Sequence, residues 1–165
     1  TLGLKLYLEK KGHQAYVIAP NEYPSFLKWL PDNDQVVIFD NSIKKAKKQI
    51  EEADLIFTLD FNHLGRCGDI GPELENADAT FVMIDHHQQP ARYAKYVYSD
   101  TSMSSTCQMI YHFIEMMNDT SLIDAQIATC LYTGIMTDTG SFRYCVTFNH
   151  FRDDKDIESF DTKNT

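Results

Sequence analysis

Three short apolar runs in this chain each stop at an aspartate, with helical spacing between them. Val36–Phe39 stops at Asp40, Leu55–Leu59 at Asp60, and Phe81–Ile84 at Asp85. Apolar runs this short, without polar alternation, read as strands buried on both faces rather than as core helices. The helical patterns complete the alternation. Leu2 to Lys11 reads as a helix closed at Gly12, and Ile43, Ala46, Ile50 and Ala53 follow helical spacing behind a Ser42 cap. Ser105 and Gln108 form a capping box for a helix through Met117, and Ser121 opens a further helix with Ile123, Ile127, Leu131 and Ile135 on its apolar side. Gln14–Ala19, Thr80–Ile84, Tyr96–Tyr98 and Phe142–Val146 are further strand candidates, and Phe26–Leu30 a helical turn or two. Short apolar strands alternating with helices predict an α/β fold, a parallel sheet with helices on both faces.

At 165 residues the chain favours one domain. Hydrophobic residues at 43% and aromatics at 12% exclude a disordered chain. The net charge of −9 argues against a basic groove for long nucleic acid, but leaves room for a short phosphorylated substrate held at a local cation. No apolar run approaches the roughly 18 residues of a membrane span, and no secretory signal is visible. Cys67, Cys107, Cys130 and Cys145 form no CxxC pair, which disfavours a zinc ribbon or thioredoxin-type site and fits reduced thiols in the cytoplasm. The chain reads as cut at both ends. It starts at Thr1 and enters an amphipathic pattern at once, and residues 151–165, rich in Asp and Glu, read as a disordered tail or linker stub behind a domain of residues 1–150.

In open parallel sheets the carboxyl ends of the strands line the ligand crevice, so an aspartate there has a task beyond strand formation. The three aspartates are not equal. Asp40 precedes Asn41, Ser42 and a helix, and a turn or cap accounts for it. Asp85 is followed by His86 and His87, whose side chains diverge on an extended backbone, so that one can meet a metal and the other a substrate. Asp60 heads a segment in which Asn62, His63 and Arg66 can face the same crevice. Asp138 follows the apolar helix Ile123–Met136, where a carboxylate opposes the helix dipole and a bound cation removes that penalty. Asp60, His86 and Asp138 together offer two carboxylates and an imidazole, a set suited to Mn²⁺, Co²⁺ or Fe²⁺ better than to Mg²⁺. In paired-metal hydrolases a bridging carboxylate holds two ions about 3.5–4 Å apart, and they stabilise both oxygens of an in-line displacement.

These residues resemble the DHH phosphoesterases. Asp85-His86-His87 matches the signature that names the family, and Leu59-Asp60-Phe61-Asn62 resembles its second motif. The segment from Tyr132 through Asp138 and Gly140 to Phe142 resembles the fourth motif, and Ser104-Ser105-Thr106-Cys107-Gln108 the branch of nano-RNases, oligoribonuclease and 3′-phosphoadenosine-5′-phosphate phosphatase enzymes. The likeness covers roughly residues 2–145. It implies a metal-dependent hydrolase acting on short RNA or a nucleotide by two-metal in-line water attack, with Asp60 bridging two Mn²⁺ ions (Co²⁺ or Mg²⁺ as alternatives). His86 and Asp138 would complete the second ion's shell. His87 would contact the scissile phosphate, Asp85 would orient the histidine loop, and Arg66, Asn62 and Ser105 would contact substrate.

The family's first motif, a strand followed by a histidine and two aspartates, has no counterpart ahead of Leu2, and its smaller Gly-rich carboxy-terminal domain has none after Tyr144. Two ions need on the order of ten donor atoms, more than Asp60, His86, Asp138 and Asp85 supply. The expectation is therefore a phosphoesterase domain that is inactive in this form and holds at most one metal weakly. Cyclic-dinucleotide phosphodiesterase, pyrophosphatase and a non-catalytic nucleotide-binding module are the alternatives, and a homodimer is one open mode of assembly. Elsewhere, His112, the methionines 109, 116 and 117, and the lysines 44, 45, 47 and 48 read as packing or solvated-face residues.

Overall fold

A computed structural model describes residues 1–143. Along the chain lie α1 (Leu2–Lys10), β1 (Ile18–Ala19), β2 (Val37–Ile38), α2 (Ile43–Glu51), β3 (Leu55–Leu59), α3 (Gly71–Glu75), β4 (Thr80–Asp85), β5 (Tyr96–Ser99), α4 (Thr106–Met116) and α5 (Ala125–Asp138). Every strand pairing is parallel. β1 pairs with β2, and β4 lies between β3 and β5, with Leu55 opposite Thr80 and Val82 opposite Tyr96.

Each face of the sheet carries its own core, because alternate strand residues point to opposite sides. Ile56 and Phe81 pack with Ala46 and Ile50 of α2, Leu74 of α3, and Val37 and Phe39 around β2. Phe57, Leu59, Val82 and Ile84 pack on the other face with Leu4 and Tyr7 of α1, Met109, Ile110 and Ile114 of α4, and Ile127 and Leu131 of α5. This is the expected α/β architecture. The strand carboxyl ends of β3 and β4 emerge together at one rim, near the start of α4 and the end of α5.

Between β1 and β3 lies a cavity of about 470 Å³, lined by Leu4, Lys5 and Leu8 of α1, by Val17 and Ile18, by β3, and by Gln49 and Ile50 of α2. Neither facing edge has a strand partner among the described residues. The buried Gln49 Oε1 beside it has no hydrogen-bond partner there either. The sheet is thus divided beside α1, where the family resemblance expects a preceding strand. A strand in that slot would give the doubly wound order 3-2-1-4-5-6, whose ligand crevice opens where the order reverses, at the carboxyl end of β3.

Several boundaries differ from expectation. Gln14–Ala19 yields a strand only at Ile18–Ala19, and Val36–Phe39 only at Val37–Ile38, because a two-strand patch with one open edge lacks the partners that would extend it. Ser42 occupies the cap position of α2 but makes no side-chain cap bond. The last long helix starts at Ala125 rather than Ser121. Asp124 is its cap, with Oδ1 accepting from Gln126 N and Ile127 N at 3.0 Å each, while Thr120–Leu122 form a single 3₁₀ turn. The box at α4 is half as expected: Ser105 Oγ accepts from Gln108 N, but Gln108 Oε1 accepts from Ser104 N and Oγ. Phe142, expected in a strand, lies in a turn with φ +63°, and residues 144–146 of that expectation, like 151–165, fall outside the described residues.

Candidate metal centre

Asp60 directly follows β3. Its N–H donates to Ile84 O at 3.1 Å, the last rung beside β4, and its backbone then turns into the left-handed region at φ +69°. That conformation costs an L-residue roughly 1–2 kcal/mol, least for Asp and Asn, whose short polar side chains bond locally. The turn leaves the carboxylate half-exposed at the crevice rim. Thr106 Oγ1, at the first position of α4, donates to Asp60 Oδ1 at 2.8 Å and fixes the carboxylate's rotation.

β4 delivers the adjacent group. Asp85, its last residue, is fully buried. Its Oδ2 accepts from His87 N and its Oδ1 pairs with His87 Nδ1, both at 2.8 Å. A buried carboxylate so placed accepts from Nδ1–H of His87 and so turns Nε2 outward. His86 is oriented from the opposite side. Its Nδ1 lies 3.1 Å from Met103 O, and a carbonyl can only accept, so Nδ1 carries a proton and Nε2 is the nitrogen turned to the crevice. That Nε2 faces Asp60 Oδ1 at 3.4 Å and Asp138 Oδ2 at 3.6 Å.

With the imidazole in its neutral Nδ1–H form, Nε2 and the two carboxylate oxygens are three acceptors with nothing between them. A shared cation resolves it. Ligand bonds of about 2.0–2.2 Å at tetrahedral to octahedral angles place neighbouring donor atoms roughly 3.0–3.5 Å apart, close to the spacing seen here. The donor set therefore fits a divalent ion. Ligand atoms of Asp60, His86 and His87 also lie within 4.8 Å of one another. Asp138, the final residue of α5, completes the acidic rim. Partial burial, then the charge of Asp60, raise its carboxyl above the ordinary range, with His86 and His87 opposing.

α5 reaches the rim because α4 and α5 approach closely where Gly134 meets Cys107: a Cβ at 134 would lie only 2.1 Å from Cys107 Sγ. Asp138 sits one turn further along. The helix expected to end at Met136 runs two residues further, so Asp138 is its last residue rather than the one just past it.

The structure thus brings Asp60, His86 and Asp138 together and sets His87, backed by Asp85, beside them. Other expected site residues have different surroundings. Ser105 is 1% exposed, with its hydroxyl capping α4, and the neighbouring Thr106 faces Asp60. Thr106 was legible only as part of the Ser-Ser-Thr string, because a cap and a first-turn residue look alike in sequence. Asn62 is buried and spans two loops, its Nδ2 donating to Gln88 O and its Oδ1 accepting from Arg66 Nη1 at 3.2 Å. Arg66 itself is exposed. Asp40 lies exposed in a 3₁₀ turn, in keeping with a turn role.

The profile of the DHH family's N-terminal domain matches residues 1–135. The bifunctional oligoribonuclease and PAP phosphatase NrnA of Thermus thermophilus is 31% identical over 148 residues, covering 89% of this chain and 40% of that protein. The cyclic-di-AMP phosphodiesterase PdeA of Listeria monocytogenes is 26% identical over 152 residues, covering 86% of this chain and 22% of that protein. The crystal structure of an exopolyphosphatase-related protein from Bacteroides fragilis superposes with a TM-score of 0.85 at 38% identity, covering 87% of this chain and 42% of that one. The chain therefore spans about two fifths or less of the length of these relatives.

Proposed function

The chain belongs to the DHH family, and from that premise we propose that it is the metal-holding domain of a phosphoesterase acting on short oligonucleotides or nucleotide 3′-phosphates. One observation carries the reading: His86 Nε2, its ring oriented by Met103 O, faces Asp60 and Asp138 oxygens at 3.4 and 3.6 Å. Asp60, His86 and Asp138 hold a Mn²⁺ ion, with Co²⁺ or Mg²⁺ as substitutes. A divalent ion supplies a water of lowered pKa and neutralises charge on phosphoryl oxygens. The chain's own residues do the rest. Asp85 holds the His87 ring and keeps its Nδ1 protonated, and His87 Nε2 meets the phosphate, where its protonated form offsets developing charge. The net charge of −9 supports short substrates over long nucleic acid. Among the described residues no helix is long and apolar enough to cross a membrane, and Cys67, Cys107 and Cys130 are free thiols, which supports a cytoplasmic setting.

Two-metal in-line attack needs more donors than Asp60, His86, Asp138 and Asp85 supply, so on this reading the chain alone holds one ion and does not turn over. Calorimetric titration with Mn²⁺ should give one site, lost in His86→Ala; two tight sites would refute the donor count. Full-length protein should release mononucleotide from a dinucleotide with Mn²⁺, and Asp138→Ala should abolish the release. Absence of hydrolysis on dinucleotide, nucleotide 3′-phosphate, cyclic dinucleotide and pyrophosphate alike would favour a nucleotide-binding module. The likeness to PdeA keeps a cyclic dinucleotide as the second substrate reading.

A further inference from the structure

Two hydroxyls lie under the metal rim where apolar side chains of nearly the same shape would pack. Thr58 is 1% exposed in the body of β3, and Tyr93, in the loop between His87 and β5, sets its ring edge-on to Phe81 at 5.9 Å. A valine and a phenylalanine would fill those places with no polar group to satisfy. Instead Thr58 Oγ1 and Tyr93 Oη lie 2.6 Å apart. The pair carries two protons. One lies between the oxygens, and the other is left for the carbonyls of Phe61 at 3.4 Å and Val82 at 3.5 Å. These contacts bracket Asp60: Thr58 stands two residues before it, Phe61 one after, and Val82 on the paired strand β4. Between those points the backbone makes its left-handed turn at φ +69°. The Tyr93 loop is bonded to the same turn at two further points, Asn62 Nδ2 to Gln88 O and Ala91 N to Asn62 O at 2.8 Å. The segments that carry Asp60 and His86 are thus joined along one seam, and Tyr93 closes it beneath the turn.

We propose that Tyr93, paired with Thr58, is the positioning residue that sets the backbone turn of Asp60 and so the place of its carboxylate against His86. The inference rests on the metal-holding reading for what the turn serves. Tyr93 acts through the backbone and is not itself a metal donor. A shift of the turn carries the Asp60 carboxylate with it, and the 3.4 Å between Asp60 Oδ1 and His86 Nε2 leaves little slack for a shared ion.

Two readouts test it, one with metal and one without. In calorimetric titration of this chain with Mn²⁺, Tyr93→Phe, which keeps the ring against Phe81, should bind about tenfold more weakly than wild type, the lower end of what loss of an orienting partner costs. Thr58→Val should give a similar loss and the double variant no more than either, while Thr58→Ser, which keeps the hydroxyl, should bind as wild type does. Ile50→Val, in the same core but on α2, should lower the melting temperature without moving Mn²⁺ affinity. Without metal, hydrogen exchange of the Asp60 amide should quicken in Tyr93→Phe relative to the rest of β3, because the bond from Asp60 N to Ile84 O opens with the turn. Wild-type affinity in Tyr93→Phe, a further loss in the double variant, an equal loss in Ile50→Val, or a quickening spread evenly over β3 overturns the proposal. No Mn²⁺ binding by wild type would remove the metal-holding reading and leave the amide exchange to decide whether Tyr93 sets the turn.

Discussion

At the scale of single residues, the centre depends on groups that fix orientation as much as on those that reach the ion. Thr106 contributes one hydroxyl to Asp60 Oδ1. Removing partners of this kind typically costs ten- to a hundredfold in metal affinity. Thr106→Val should therefore weaken Mn²⁺ binding by about tenfold at unchanged circular dichroism, read by calorimetry; unchanged affinity would show that Asp60 orients itself. Away from the rim, Asp119 joins α1 to the end of α4. Its Oδ2 accepts the Tyr7 hydroxyl at 2.6 Å and the Lys11 ammonium at 2.9 Å. Those two hydrogen bonds hold its carboxyl below the ordinary range, while burial, then Asp119, push the Tyr7 phenol up to about 12. A lowered carboxyl favours the fold when ionised, so this contribution is present above the unfolded-state pKa and fades as pH falls through the folded value. Thermal melts between pH 7 and pH 3 should lose less stability in Asp119→Asn than in wild type. An identical acid limb in both would assign the loss elsewhere.

At the scale of elements, helix packing decides whether the third donor, Asp138, arrives. Gly134 lets α5 lie against Cys107 of α4, and Asp138 rides on that contact. Gly134→Ala must separate the helices or distort Cys107, at a cost of about 1–3 kcal/mol for overpacking. It should also weaken Mn²⁺ binding, because Asp138 moves with the helix, and Cys107→Ala should partly offset both losses. A melt that falls while metal affinity stays constant would uncouple the helix contact from the centre. The start of α5 is set by Asp124, so Asp124→Ala should cost about 1 kcal/mol of stability in denaturant unfolding. Sequence periodicity found the body of this helix but put its start at Ser121, since both residue types cap and only the fold shows which backbone N–H groups stand in reach.

At the scale of the whole molecule, the sheet is two parallel pieces around a slot covered by α1 on one side and by α2 and α3 on the other. Gln49 Oε1, buried and without a hydrogen-bond partner among the described residues, borders the gap. An apolar strand seated in it would cover both open edges. Burying two or three apolar side chains contributes about 1.5–3 kcal/mol each, and about 2–4 °C follows per kcal/mol in a domain of this size. A protein in which such a strand fills the slot should melt about 10 °C or more above this chain with the slot open. A melt no higher, or exchange protection in β3 no greater, would mean that the slot closes by other means. Such a strand would also end beside Asp60, where the strand order reverses.

Sequence alone determined the alternation of buried strands and helices, because strands covered on both faces admit little besides apolar residues, and their lengths survive in the text as runs such as Leu55–Leu59. It also marked Asp60, His86, His87 and Asp138, since ionisable groups at strand and helix ends cost stability without a task. Tertiary structure alone decided which hydroxyl faces Asp60, which nitrogen of His86 is free, and that Asn62 spans two loops rather than meeting a ligand. Those are matters of direction and distance between segments far apart in the chain, set by how α4 and α5 pack on β4, and no local pattern encodes them.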